Sequence, residues 1–472
     1  MAYETAVLKQ LGAYTAKHLS RMGGFSPHIR LADYKHPIDF CDRISYTVAM
    51  SHDKRMKTMN INKKKVLTFA AAIAAGTIAN AAGFGLYEAS ARGNALGGGL
   101  VGSTGDATAN YYNPANLTEC TNITFTAGVS LINPFADAKI DGVQQSKMNA
   151  GWFPPPHAYI AIPLMKDLVF GFGSYSEFGL GTKYDSNWAA SWDTTETTIE
   201  QFTFNPNLAY KITDWWSVGI GARMSYITFE NYSSPFMTLL PSMTGYGRSH
   251  LKGDDFNCGW LVSTQFKVTD DLSVGAVYRS RISHKIKGDK YATTPFAAMP
   301  VSAGDAQADL ELPSSAVIGA NYDFTKRFRG GASLTWTEWS TIDSILFEMT
   351  PSKKLDLGWD DAWRVGFGFE YDFTDDFCGR IGYTYDLDPS HKNHGTTMLP
   401  PGDRHIIGFG IGYKILDNLR IDLGYNFIIM ESTTRELYMK NALKDTPVGD
   451  AHKFQTDNAY SHIASVSLTY TF

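Results

Sequence analysis

Apolar and polar residues alternate with a period of two through much of the chain. In NLRIDLGYNFI, Leu419, Ile421, Leu423, Tyr425 and Phe427 fall on one side, and Arg420, Asp422, Gly424 and Asn426 on the other. WRVGFGFEYDF repeats this, with Trp363, Val365, Phe367, Phe369 and Tyr371 opposite Arg364, Gly366, Gly368, Glu370 and Asp372. A period of two marks strands with one apolar and one polar face. In a soluble sandwich the apolar face would meet a second sheet. Here the polar face carries charges and glycines, which suits the lumen of a membrane barrel whose apolar face meets lipid.

The connections alternate between short and long. Tight turns fall at Met165–Asp167, Thr213–Trp215, Thr269–Asp271, Thr325–Arg327, Thr374–Asp376 and Leu416–Asn418, most with Asp, Asn or Thr as turn formers. Longer links lie near 134–153, 181–196, 231–255, 285–308, 342–360, 387–402 and 429–460. Six short and seven long links predict fourteen antiparallel strands with both ends on the short-turn side. Bacterial outer-membrane barrels have an even strand count, short periplasmic turns and long external loops. An open edge in lipid would leave backbone groups unpaired, so the sheet must close. The fold class is therefore all-β: a fourteen-stranded antiparallel transmembrane β-barrel over residues 121–472. The final SVSLTYTF, ending on Phe472, is a familiar ending for such barrels.

The export route is written upstream. Lys63, Lys64 and Lys65 precede an apolar core from Val66 to Ala75, and Ala79-Asn80-Ala81 is an A-x-A cleavage site. Residues 56–81 read as a signal peptide, with the mature chain starting at Ala82 in the bacterial outer membrane. Residues 1–55 show neither a second signal nor strand alternation and read as a non-native upstream extension, since Met56 and Met59 offer later starts. After Ala82 no run of about 18 apolar residues occurs, so no transmembrane helix is predicted.

Composition narrows the chemistry. A net charge of −5 gives no basic surface for nucleic acid. Cys120, Cys258 and Cys378 are far apart and form no C-x-x-C pair, so no disulfide framework, metal or other cofactor is expected. Residues 82–120 do not alternate and are rich in Gly, Ala and Asn. Such a segment can fold inside a lumen, where close backbone approach needs glycine. The third long link carries Phe236, Met237, Leu239, Leu240 and Met243, and the fourth carries Phe296 and Met299. Apolar loops in water call for an apolar ligand or for packing on each other. Strand three holds Gly171, Gly173, Gly179 and Gly181, which suggest a bulge or bend.

Several segments carry a family resemblance: AGFGLYEASARG, Asn113-Pro114-Ala115, SYSEFGLGTKY, NPNLAYKITDWWSVG, VYRSRISHKIKGD, LPSSAVIGANY, TWTEWSTID and LPPGDRHIIGFGIGY. In their order and spacing they resemble the FadL family of outer-membrane transporters for long-chain fatty acids and other hydrophobic compounds, over Ala82–Phe472. The resemblance implies that 82–120 is a hatch plugging the lumen and that the third and fourth long loops form an external groove. It also implies an inner pocket near Phe84, a hatch turn at Asn113, Pro114 and Ala115, and a lateral gate at a strand-three kink, Phe178-Gly179. Fatty-acid binders of the family meet the carboxylate with basic residues in stretches that here read ITFENYSS and WSTIDSILFE, without Lys or Arg. The inward positions Arg223, Arg364, Arg380 and Arg404 are the candidate substitutes.

The resulting expectation is passive uptake of a hydrophobic molecule, a long-chain fatty acid first and an aromatic or other uncharged hydrocarbon second. Outer-membrane lipid and lipopolysaccharide are the surroundings, and a monomer is the expected state. A barrel lipase would need a nucleophile, base and acid together; Asp403-Arg404-His405 is the most suggestive group, and it reads more simply as a polar barrel rim. A general porin would not need a Gly-rich segment before its first strand.

Overall fold

The computed structural model describes residues 83–149, 151–296, 302–349, 353–440 and 447–472. The signal peptide at 56–81, the extension at 1–55 and Met299 lie outside the described residues. Fourteen antiparallel strands form one closed sheet. Strands one to seven are Thr124–Ile140; Val143–Asn149 with Pro156–Met165; Leu168–Tyr175 with Gly179–Lys183; Glu196–Thr213; Trp216–Ser233; Arg248–Lys267; and Leu272–Arg279 with Ile282–Thr293. Strands eight to fourteen are Ser302–Leu312 with Ser315–Thr325; Phe328–Thr337 with Ser344–Glu348; Lys353–Asp356 with Ala362–Asp372; Phe377–Asp386; Arg404–Leu416; Leu419–Met430 with Thr433–Leu437; and His452–Thr471. Strand one pairs with strand fourteen from Thr124↔Thr471 to Ile140↔Phe454, which removes the free edge.

The alternation predicted for lipid-facing strands is present. Trp363, Val365, Phe367, Phe369 and Tyr371 are exposed, while Gly366, Gly368 and Glu370 between them are buried. All six tight turns join strands where the sequence places them.

The long links differ from expectation. Several are mostly ladder: strands six and fourteen run for 20 residues each, twice the ~10 needed to cross a bilayer. Strands one and two meet in a two-residue turn, Asp141-Gly142, both at positive φ (53° and 79°), so the link expected at 134–153 is a hairpin extension. The cause lies in the pattern itself, which inverts beyond the membrane. In ISHKIKGDK, Ile282 and Ile286 point inward and Ser283, Lys285 and Lys287 outward. Asp309 and Glu311 likewise face away from the buried Leu310 and Leu312. Outside lipid the outer face meets water, and the apolar side chains turn inward.

The N-terminal segment occupies the lumen. It holds helix α1 (Ala91–Ala95), helix α2 (Ala109–Tyr112) and a 3-10 turn at Pro114–Glu119. Ser90 caps α1 through a hydrogen bond from the Gly93 N–H, 3.0 Å. Asn94 donates to Ser130 and Ser465 on strands one and fourteen, Asn321 and Gln265 on strands eight and six donate to the Gly99 and Gly102 carbonyls, and Tyr159 on strand two reaches Ala89. Close approach needs glycine in the wall: a Cβ on Gly424 would come within 2.6 Å of the Ala91 carbonyl oxygen.

Candidate functional site

Beyond the N-terminal segment, toward the long-loop end, the lumen is apolar. Ile132, Ile199, Ile227, Leu310, Ile406 and Ile463 project inward from strands one, four, five, eight, twelve and fourteen and pack into one buried cluster with Phe84 and Trp339. A chamber within it is lined by Phe84, Leu180, Ile199, Phe229, Ile286 and Trp359 among others, with Thr197 and Thr396 the polar contributors. Barrel lumens are ordinarily polar. The resemblance implied a pocket near Phe84; the apolar wall residues around it went unnoticed in the sequence, where the inverted alternation of these strands was the signal.

Four aromatic rings pack together at the floor of the chamber, with Phe84 and Trp359 on its lining. Phe84 lies 5.7 Å from Phe178, 5.2 Å from Trp339 and 6.0 Å from Trp359, and Trp339 lies 5.3 Å from Trp359, mostly in tilted or edge-on arrangements. Against the rings is a second, polar compartment, lined by Tyr87, Tyr111, Glu177, Arg223, Arg279 and Arg364, with Phe178 and Trp339 of the ring cluster on its lining.

The wall beside these compartments is interrupted. Strands two and three pair from Met165↔Leu168 to Ala158↔Ser174. Past Tyr175 the chain leaves the ladder for three residues and resumes at Gly179, where strand three pairs with strand four alone among the described residues. The backbone groups freed by this break are met from inside. The Gly179 N–H donates to the Phe84 carbonyl (2.8 Å), the Leu86 N–H donates to the Glu177 carbonyl (2.7 Å), and Gly85 bridges Phe178. The Glu177 and Phe178 N–H groups donate to the Gln201 side-chain oxygen at 2.9 and 3.3 Å. The start of the N-terminal segment thus covers the gap as a short antiparallel strand.

Electrostatics separate the four candidate arginines. Arg223 donates twice to Glu177 Oε2, at 3.1 and 2.7 Å, and Arg279 Nε lies 3.5 Å from the other oxygen. Arg380 pairs with Glu370 and, at 2.8 Å, with Asp422; Glu370 also holds Arg92 of α1 and Arg329. Arg404 pairs with Asp386. Arg364 instead places its guanidinium carbon 4.0 Å from the Tyr87 ring centroid. Glu177, Arg279 and Tyr87 were not among the residues singled out in the sequence.

Asn113, Pro114 and Ala115 are buried together. The Asn113 amide donates to the Val101 and Thr264 carbonyls (2.8 and 3.0 Å), its oxygen accepts from the Ala115 N–H (3.0 Å), and Pro114 opens the 3-10 turn. The third long loop is a separate hairpin, Phe236–Leu240 against Met243–Tyr246. Met237 is buried beside Gly247 and Pro295 packs near Gly245, so the third and fourth loops touch. Phe296 is buried as well, while Leu239, Leu240 and Met243 stay exposed at the tip. The Asp403-Arg404-His405 group separates: Asp403 accepts from Tyr385, Arg404 faces inward to Asp386, and His405 lies 3.2 Å from Glu431.

A sequence model of outer membrane transport proteins, described as OMPP1/FadL/TodX, matches residues 72–472. A long-chain fatty acid transport protein of Escherichia coli O6:H1 is 25% identical over 415 residues, covering 79% of this chain and 92% of that protein. Outer membrane protein P1 of Haemophilus influenzae (strain Rd) is 23% identical over 475 residues, covering 88% of this chain and 100% of that protein. Among solved structures, a Pseudomonas aeruginosa FadL homologue superposes with a TM-score of 0.75 at 20% identity, covering 83% of this chain and 100% of that one. The P. putida toluene transporter TodX gives 0.66 at 18% identity, covering 82% and 99%. Both share the fold.

Proposed function

The chain belongs to the OMPP1/FadL/TodX family of outer membrane transport proteins, and we propose that it takes up long-chain fatty acids passively through its lumenal chamber and the strand-three break. It is a bacterial outer-membrane transporter of hydrophobic compounds. The observation that carries the finer reading is the inward-facing apolar cluster above the ring floor. A channel for polar solutes gains nothing from it, whereas an apolar chain gains ~25 cal/mol for each Å² it buries there.

In this reading the ligand leaves the outer leaflet, settles against the exposed Leu239, Leu240 and Met243 of the loop hairpin, and passes into the chamber. The way straight down is unfavourable for an apolar chain. The periplasmic half holds the Glu370 network with Arg92, Arg329 and Arg380, and α1 packed on the wall glycines. The gap beside Gly179 is lined by Phe178 and covered by Phe84–Leu86, so moving that short segment opens a sideways route. Residues 82–120 act as the hatch, anchored at Asn113–Ala115.

An aromatic hydrocarbon is the second reading, favoured by the four-ring floor. Gly179→Trp tests the route common to both. Uptake of a radiolabelled fatty acid into cells should fall several-fold while the barrel keeps its heat-modifiable migration; unchanged uptake rejects the lateral path.

A further inference from the structure

At the strand-three break the two facing strands differ in length. Tyr175 pairs with Thr203 and Gly179 with Glu200, so three residues of strand three, 176–178, face two of strand four, Gln201 and Phe202. An extra residue on one side is a bulge, which takes backbone groups out of the ladder. Gln201, 1% exposed, replaces what is lost. Its Oε1 accepts from the Glu177 and Phe178 N–H groups, and its Nε2 donates to the Thr203 and Ser225 hydroxyls at 2.6 and 2.9 Å. A backbone N–H can only donate, so the carbonyl end of the amide must face strand three. Both ends of the amide are then fully used. Thr203 in turn donates to the Glu177 carboxylate (3.0 Å), and Ser225 Oγ lies 3.1 Å from His284 Nε2, whose other ring nitrogen lies 2.8 Å from Asp255. None of these contacts involves the N-terminal segment.

We propose that Gln201 is the positioning residue of the lateral route: it fixes the edge of the break to strand four, so that the gap keeps its shape when Phe84–Leu86 moves away. This rests on the uptake reading above and names the residue that holds its side exit in form. Two sets of contacts hold the break. One leaves with the N-terminal segment: the Gly179 N–H on the Phe84 carbonyl and the Leu86 N–H on the Glu177 carbonyl. The other stays in the wall, from Gln201 to Glu177 and Phe178. Without the second, withdrawal of the first would leave further buried donors unpaired, and the chain would rearrange over the gap to pair them. A gap that survives uncovering lets a ligand pass sideways.

Amide exchange in the purified barrel and uptake by cells test this together. In Phe84→Ala the Gly179 and Leu86 amides should speed up, while the Glu177 and Phe178 amides stay within about threefold of wild type, because strand four still holds them. Gln201→Met, which keeps the length of the side chain without its acceptor, should speed those two at least about tenfold, the scale of a lost buried hydrogen bond. Gln201→Glu restores an acceptor oxygen and should restore most of their protection. Uptake of radiolabelled hexadecanoate should fall several-fold in Gln201→Met while the purified variant binds hexadecanol as tightly as wild type, a split that general loosening of the barrel would not give. Acceleration of Glu177 and Phe178 along with Gly179 in Phe84→Ala overturns the assignment, even where Gln201→Met does not fold. So does unchanged exchange, undiminished uptake or a parallel loss of hexadecanol binding in Gln201→Met. Failure of wild-type cells to take up hexadecanoate removes the fatty-acid uptake reading instead, and the exchange pattern still decides whether Gln201 holds the break.

Discussion

Replacing Phe84 with Ala isolates the contact that keeps the wall break covered. Phe84 is 3% exposed and touches Phe178, Trp339 and Trp359. Truncating a buried phenylalanine costs about 3–5 kcal/mol. The barrel ladder makes no use of this side chain, so the loss falls on docking of the segment rather than on the sheet. At 1.4 kcal/mol per factor of ten, the lower figure shifts the covered-to-uncovered ratio by about a hundredfold. Hydrogen exchange reads this directly through the Gly179 N–H, whose acceptor is the Phe84 carbonyl, and the Leu86 N–H, whose acceptor is the Glu177 carbonyl. Both should exchange about a hundredfold faster in the variant, while strand-interior amides such as Ile220 and Val262 stay protected. Unchanged exchange at Gly179 and Leu86 would refute the idea that ring packing holds the cover in place. Loss of protection throughout the barrel would refute its separation from the sheet.

Glu177→Gln should destabilise the barrel by about 3–5 kcal/mol, because it leaves the fully buried Arg223 without its anion, as read by a lowered thermal midpoint in detergent. Lys183→Ala, which breaks an exposed pair with Glu196, should change the same midpoint by less than about 1 kcal/mol. Ile227→Asp, at a fully buried inward position, should abolish hexadecanol binding by placing a charge in the apolar chamber. At the external end of strand fourteen, a hydrogen bond from Lys139 holds the Asp457 carboxyl below its ordinary value of 3.8. Its stabilisation is therefore present above that value and lost as pH falls below it. Exchange protection of the strand one–fourteen extension should drop at acid pH in wild type, and Asp457→Asn should flatten that dependence.

How much of this was legible in the sequence follows from what each part of the chain faces. Lipid demands an apolar outer face and lumen water a polar inner one, so strands such as Trp363–Tyr371 and their tight turns announced themselves. Where strands leave the bilayer the demand reverses. Ile286 falls in the link expected near 285–308 although it is ladder and lines the chamber, and Ile282, Leu310 and Leu312, just outside that link, turn into the same buried cluster. Ion pairing was hidden for a different reason. Arg364 and Glu370 share the inward face of one strand, yet six residues put them about 20 Å apart. The register places Arg380 of strand eleven directly across from Glu370. Register also decided that Asn113 pins the segment to strand six through Thr264, a contact no spacing rule contains.

If an apolar ligand lies in the lumenal chamber above the ring floor, a crystal structure of the barrel soaked with a fatty acid brominated at its tail end will show anomalous density for bromine among Ile199, Phe229, Ile286 and Leu310. Bromine density confined to the lipid-facing wall or the loop hairpin, with the chamber unoccupied, would contradict that placement.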